Sequence, residues 1–329
     1  MDSTPIIAIV MGDPAGIGPE IIVKLLAEEN WRRRCRLFVV GDAQVMIDNA
    51  AALKATLQFR AVDELAKAEY GRGCIDVLPP PGFELGPVPP PEVNAKCGQA
   101  AGLCLQYAYE LAAQSRVQGV VMAPMNKESF RLAGYNYFDE LEFLGDITGS
   151  PEPFILGAAG SIWAVAVTEH IAFRHIASHI KRARILRYIG HMQHVLTRLG
   201  LDQPRIAVAA LNPHAGEGGL FGREEIDEIA PAVRDALRDD LDVTGPVPAD
   251  IVFKRALDGD FDGVVCMYHD QMNIARKLQA RGDIATLWMG LPVIGATTAH
   301  GTAFDIAGKG IADPGSLRAA LNYVIELAR

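Results

Sequence analysis

The sequence predicts an α/β fold, and three observations carry that prediction. Short apolar runs rich in Val and Ile recur along the chain, they do not alternate with polar residues, and longer helix-like stretches separate them. A run that is apolar at every position suits a parallel strand buried on both faces, and strand–helix alternation lays helices over those faces. At 329 residues the chain exceeds one ordinary core and implies two domains.

Taken in order, the strand candidates are Ile6–Val10, Leu37–Val40, Ile75–Leu78, Gly119–Ala123, Ile162–Val167, Ile206–Ala210 and Val264–Met267. Helical patterns lie between them, among them Gly98–Ser115 and Glu224–Leu237. Seven of the twenty prolines fall between Pro79 and Pro91, which excludes helix and central strand there and leaves a surface loop or a hinge. Half of the residues are hydrophobic and mean hydropathy is +0.14, so disordered and fibrous classes are excluded.

The balance of 31 basic against 40 acidic residues gives a net charge of −9, which argues against nucleic-acid binding. An anionic ligand then needs a local positive site or a bound cation. No basic segment with a long apolar stretch behind it opens the chain, and no run approaches the roughly eighteen apolar residues that span a bilayer. The five cysteines are odd in number, widely spaced and free of a C-x-x-C pair, as expected of reduced thiols in a cytoplasmic protein.

Gly12-Asp13-Pro14-Ala15-Gly16-Ile17-Gly18-Pro19-Glu20 follows the first strand and opens a helical pattern. It lacks the Gly-Lys-Ser/Thr of a Walker loop, and the third glycine of a dinucleotide fingerprint would fall at Ile21, so a tight turn and a ligand loop both remain open. His175 with His179 and His191 with His194 have helical spacing but basic surroundings, which read as a solvated face. Three other histidines share one placement. His170, His214 and His269 each lie two or three residues beyond an apolar run (Ala164–Val167, Ile206–Leu211 and Val264–Met267), where the strand ends of an α/β sheet converge on a ligand crevice. Three such imidazoles suit a divalent ion, unless each merely caps its loop.

The glycine-rich segment at 12–20, Leu211–Gly219, Met267–Gln271, Gly290-Leu291-Pro292 and His300-Gly301-Thr302-Ala303 resemble the 4-hydroxythreonine-4-phosphate dehydrogenase family of vitamin B6 biosynthesis, over nearly the whole chain. The resemblance implies a homodimer of two α/β/α domains with a cleft between them, similar to isocitrate and isopropylmalate dehydrogenases. It places residues 1–130 and 300–329 in one domain and 131–299 in the other, which carries the metal site. It implies NAD or NADP bound without a standard fingerprint, and one divalent ion (Zn, Co, Mn or Mg) on His170, His214 and His269.

At the substrate the match is less complete. The family's lysine is present as Lys277, but its substrate-contacting His and Thr appear as Glu140 and Leu141, and its Asn and Arg as Thr286 and Gly295. Losing an Arg–phosphate pair and gaining a carboxylate weakens a phosphate grip, although Arg276 or Arg281 offers a replacement. The implied reaction is oxidation of a secondary alcohol β to a carboxylate, with decarboxylation. The expected substrate is a small anion other than the family's phosphorylated one, such as another hydroxy acid or a carboxylated cis-dihydrodiol. The alternatives are the vitamin B6 enzyme with a rebuilt phosphate site, and a non-catalytic metal- or nucleotide-binding protein. Lys277 is the candidate for neutralising carboxylate or phosphate and moving a proton; Asp250 is a candidate base, or else a helix N-cap.

Overall fold

Ile6–Val10 forms the first strand, β1, and Ile7, Ala8, Ile9 and Val10 are all fully buried. Neighbouring strand residues point to opposite faces, so both faces of β1 are covered, as the uninterrupted apolar run requires. The computed structural model describes residues 4–28, 31–71, 73–279 and 284–328. The chain divides into two units, Met1–Phe154 with Ala285–Arg329, and Ile155–Ile284.

In the first unit β1 is followed by α1 (Gly18–Ala27), β2 (Arg36–Val40), α2 (Ala43–Ala52), β3 (Gln58–Ala61), β4 (Cys74–Leu78), α3 (Ala95–Ala113), β5 (Gly119–Met122), α4 (Lys127–Leu132) and α5 (Glu140–Thr148). Local chemistry sets the helix starts. Asp42, Asn94, Asn126 and Asp139 cap α2 to α5 by accepting the backbone N–H of Val45, Lys96, Ser129 and Glu142. The proline-rich segment 79–91 forms neither helix nor strand.

The second unit holds β6 (Phe154–Ala159), β7 (Ile162–Thr168), α6 (Ile176–His179), α7 (Arg182–Arg198), β8 (Ile206–Ala209), α8 (Ala230–Arg238), β9 (Val243–Val247), α9 (Ala249–Leu257), β10 (Gly263–Tyr268) and α10 (His269–Gln279). Its strand order is β6-β7-β10-β8-β9, with β6–β7 antiparallel and the others parallel. Ala207, Ala209, Val264, Cys266 and Met272 form its core with Phe253 and Phe261. The chain then returns to the first unit through β11 (Ile284–Met289), β12 (Ile294–Thr298) and α11 (Gly315–Leu327). The first unit's order is β3-β4-β2-β1-β5-β12-β11, parallel except for the β11–β12 hairpin.

The unit boundaries fall at 154 and 285, where the sequence placed them at 130 and 299. Packing explains the difference. Gly98 on α3 lies so close to the residue 129 carbonyl that a Cβ would stand 2.0 Å from it, and Phe130 stacks on Tyr135 while Phe143 meets both rings edge-on, holding α4 and α5 to α3. β12 pairs with β5, Ala296 opposite Val121, which draws the hairpin into the first unit.

Candidate metal centre and substrate positions

The glycine-rich turn after β1 is built by backbone contact. A Cβ on Gly12 (φ +74°) would sit 2.5 Å from the Pro124 carbonyl oxygen, and one on Gly18 would sit 2.6 Å from that of Met11. The Asp13 N–H donates to Pro124 and the Ile17 N–H to Thr302. Glu20, 2% exposed in the first turn of α1, accepts from the N–H groups of Ala312 (2.8 Å) and Gly310 (3.2 Å) and from Lys24. The helix start is thus filled by the protein's own carboxylate, which fastens the 310–312 segment. Asp13 is fully buried; burial pushes its carboxyl up to about 6, against a lowering hydrogen bond from the Ala15 N–H.

In the second unit the C-terminal ends of β7, β10 and β8 are tied to one another. The buried Thr168 hydroxyl, at the end of β7, donates to the Met267 carbonyl (2.8 Å). Gln271 accepts from the Met267 N–H (2.6 Å) and donates to the Ala210 carbonyl (2.8 Å), linking β10 to the end of β8. Glu169 and His170 follow β7 directly, and His269 is the first residue of α10. The rings of His170 and His269 stand 5.4 Å apart, and one ligating atom from each of Glu169, His170 and His269 lies within 4.8 Å of the others. These side chains line a cavity of about 280 Å³ together with Phe173, Tyr268 and Asp270. His269 Nδ1 and an Asp270 carboxylate oxygen are 2.8 Å apart, which orients that imidazole.

His214 is not a member of this group. Its side chain is 67% exposed and its Nδ1 lies 3.0 Å from Glu217 Oε1. It sits in an unusual loop in which every residue from His214 to Gly219 has positive φ, and His214, Ala215 and Glu217 lack the glycine that tolerates this. The loop is anchored by buried Glu225, whose carboxylate accepts from the N–H groups of Leu211 (2.9 Å) and Asn212 (2.7 Å) and from the Asn212 side chain (2.9 Å). The structure therefore gathers two of the three expected histidines, and adds Glu169. Histidine placement alone does not point to Glu169; its position beside His170 at a strand end is the signal the sequence carries.

Each substrate candidate has its own setting. Glu140 is the first residue of α5, where an acid favours the helix dipole, and one of its oxygens lies 3.8 Å from Lys127 Nζ. Leu141 is 9% exposed and packs inward. Thr286 lies on β11 opposite Thr297. Gly295, on β12, is buried where a Cβ would stand 2.1 Å from the Tyr109 hydroxyl and 2.7 Å from Trp288, so its small size serves sheet packing. Lys277 is exposed in the last turn of α10. Asp250 is exposed in the first turn of α9, whose N-cap is Pro248, which removes the N-cap reading. Arg276 does not offer a replacement phosphate grip: it is 2% exposed, packed on Gly157, with Nη2 donating to Asn273 (2.6 Å). Arg281 lies outside the described residues.

The His–His–Glu group at the strand ends of this α/β chain has the donors to hold a metal ion, as in metal-dependent α/β enzymes. Residues 33–324 match the family described as Pyridoxal phosphate biosynthetic protein PdxA, and the chain belongs to that family. It is 40% identical over 326 residues to the D-threonate 4-phosphate dehydrogenase of Salmonella typhimurium, covering 99% of both chains. The crystal structure of 4-hydroxythreonine-4-phosphate dehydrogenase from Klebsiella pneumoniae matches at 38% identity and TM-score 0.86, covering 99% of this chain and 100% of that one. That of a terephthalate 1,2-cis-dihydrodiol dehydrogenase from Burkholderia xenovorans matches at 30% identity and TM-score 0.69, covering 98% of each. The chain is thus an oxidoreductase acting on a CH–OH group, in a family whose enzymes use NAD(P) and a divalent metal; the non-catalytic reading falls. Among the described residues no helix is long and apolar enough to cross a membrane.

Proposed function

We propose that this chain is an NAD(P)- and divalent-metal-dependent dehydrogenase of a phosphorylated hydroxy acid, of the D-threonate 4-phosphate kind. The observation that carries the reading is the convergence of His170 and His269 at paired strand ends in a chain matching a dehydrogenase of that substrate over its whole length. The donor set fits a divalent ion, since imidazole suits ions such as Zn and a carboxylate, which suits Mn, lies beside the pair. His170 and His269 would hold the ion, with His214 joining them from its strained loop.

Bound metal supplies Lewis acidity toward the alcohol and carbonyl oxygens, and bound nicotinamide supplies the hydride acceptor. The remaining work falls to this chain's side chains. Lys277 neutralises the carboxylate or the phosphate, Asp250 takes the hydroxyl proton, and the electron pair left as CO₂ departs is quenched by a proton from Lys277. The departures at Glu140, Leu141 and Thr286 change the polar groups expected at the substrate, whereas Gly295 answers to sheet packing against Tyr109 and Trp288. Glu140 faces Lys127, so a nearly neutral pair stands where the family's His is expected.

Lys277 is eight residues along α10 from His269, about 12 Å down the helix axis. On either side of it Ile274 is 61% and Leu278 79% exposed, apolar surface that supports a homodimer in which Lys277 serves the partner's site. The second reading, a carboxylated cis-dihydrodiol, has the terephthalate-dihydrodiol relative in its favour, at lower identity. The test is NAD(P)H formation from D-threonate 4-phosphate, 4-phosphohydroxythreonine and a carboxylated dihydrodiol, with the phosphorylated hydroxy acid expected to win. A dihydrodiol as the best substrate refutes the reading.

A further inference from the structure

We propose that Glu169 is itself a metal ligand, so that the ion is held by a carboxylate and imidazoles and the site favours oxygen-preferring ions such as Mn²⁺. The inference rests on the metal-dependent reading above and deepens it.

Glu169 and His170 are consecutive, and consecutive residues of an extended strand point to opposite faces. Here the strand has already ended. The Ile171 N–H donates to the Glu169 carbonyl (2.8 Å), closing a three-residue turn centred on His170. That turn breaks the alternation and brings both side chains to the same cavity, with ligating atoms inside the 4.8 Å group completed by His269. The turn is presented by fixed backbone: Thr168 is bonded to Met267, and Arg184 Nε donates to the Val167 carbonyl (2.7 Å). Preorganised ligands of this kind lose little on ordering when an ion enters.

Position also gives the carboxylate strength. Both Glu169 side-chain oxygens are shielded from solvent, although the residue as a whole is half-buried. Attraction between a carboxylate and a divalent ion grows as water is excluded. An anionic oxygen donor also shifts selectivity, because imidazole suits Zn, Cu, Fe and Ni whereas carboxylate suits Mg, Ca and Mn. An all-imidazole site lacks that pull toward hard ions.

The experiment titrates the chelator-stripped full chain with Co²⁺, followed by visible absorption, and with Mn²⁺ and Zn²⁺, followed by calorimetry, in the absence of substrate and nicotinamide. Wild type is compared with Glu169→Gln, Glu169→Asp and His269→Ala. Changing outer-shell partners costs about 10- to 100-fold in affinity. A true ligand therefore predicts a loss of about 100-fold or more for Mn²⁺ in Glu169→Gln, a smaller loss for Zn²⁺, and an altered Co²⁺ spectrum. Glu169→Asp, which keeps the carboxylate, should retain more Mn²⁺ affinity than Glu169→Gln. Co²⁺ binding lost in His269→Ala yet unchanged in affinity and spectrum in Glu169→Gln overturns this inference alone. A wild-type chain that binds none of the three ions overturns the metal-dependent reading, and this inference with it.

Discussion

Removing the Glu225 carboxylate tests whether the His214 loop is held in place by one buried anchor. Glu225 is 3% exposed and accepts three hydrogen bonds, from the Leu211 and Asn212 N–H groups and the Asn212 amide. Each donor left unsatisfied in a buried site costs about 1–3 kcal/mol, so an immobile loop would lose about 3–9 kcal/mol in Glu225→Ala. The loop has an escape. His214, Ala215 and Glu217 hold left-handed conformations costing about 1–2 kcal/mol each, and that strain is released if the loop lets go. The loss therefore settles near the low end, about 3 kcal/mol, a large share of an ordinary stability of about 5–15 kcal/mol. Glu225→Gln keeps one oxygen acceptor but turns an amide toward the Asn212 side chain, so about 1–2 kcal/mol is expected. Urea unfolding measures both, and hydrogen exchange at the Leu211 and Asn212 amides should quicken in the alanine variant. Wild-type stability in Glu225→Ala, to within about 0.5 kcal/mol, with unchanged exchange would refute the anchor.

Three further outcomes follow from single residues. Asp13, raised by burial from 3.8 to about 6, holds a proton in the native chain that the unfolded chain has released between those values. Stability therefore falls as pH rises through that window, by about 3 kcal/mol in all, and Asp13→Asn should flatten the slope in urea titrations at a series of pH values; an unchanged slope counts against it. Gly295→Ala drives a methyl into the Tyr109 hydroxyl and should cost about 1–3 kcal/mol by denaturation, with partial recovery in the double variant carrying Tyr109→Phe. Lys277→Met should lower kcat/KM for the phosphorylated hydroxy acid about 10- to 100-fold, as loss of a charged contact worth about 1.5–3 kcal/mol implies, while leaving thermal stability unchanged.

Strands whose apolar residues run without interruption were legible in the sequence, and β1, β2, β4, β5, β7, β8 and β10 fall within a residue or two of their expected positions. Five strands escaped: β6 (Phe154–Ala159) and β11 (Ile284–Met289) although both are largely apolar, and three that carry other signals. β3 (Gln58–Ala61) is a short edge strand with alternating polar residues, β9 (Val243–Val247) is an edge strand of the second unit's sheet that holds Gly245-Pro246, and β12 opens on Ile294-Gly295 and ends in threonines. Gly295 shows why alignment at the substrate end misleads. Its setting depends on Tyr109, a partner from α3 that no local pattern reveals. His170 and His269 were findable from strand ends, whereas the turn that swings Glu169 to their side depends on the Ile171 N–H, a backbone bond invisible in residue types. The left-handed run at 214–219 was hinted at by Gly216, Gly218 and Gly219, but the anchoring by Glu225 was not.

The most direct measurement is kcat/KM for D-threonate 4-phosphate with NAD⁺ and NADP⁺, in chelator-stripped enzyme before and after a divalent ion is restored. 4-Phosphohydroxythreonine and an unphosphorylated hydroxy acid are run beside it. The account predicts no turnover without metal, recovery with Mn²⁺ or Co²⁺, and D-threonate 4-phosphate ahead of both competitors. Full turnover in a preparation proven metal-free by elemental analysis, or preference for the unphosphorylated acid, would contradict it.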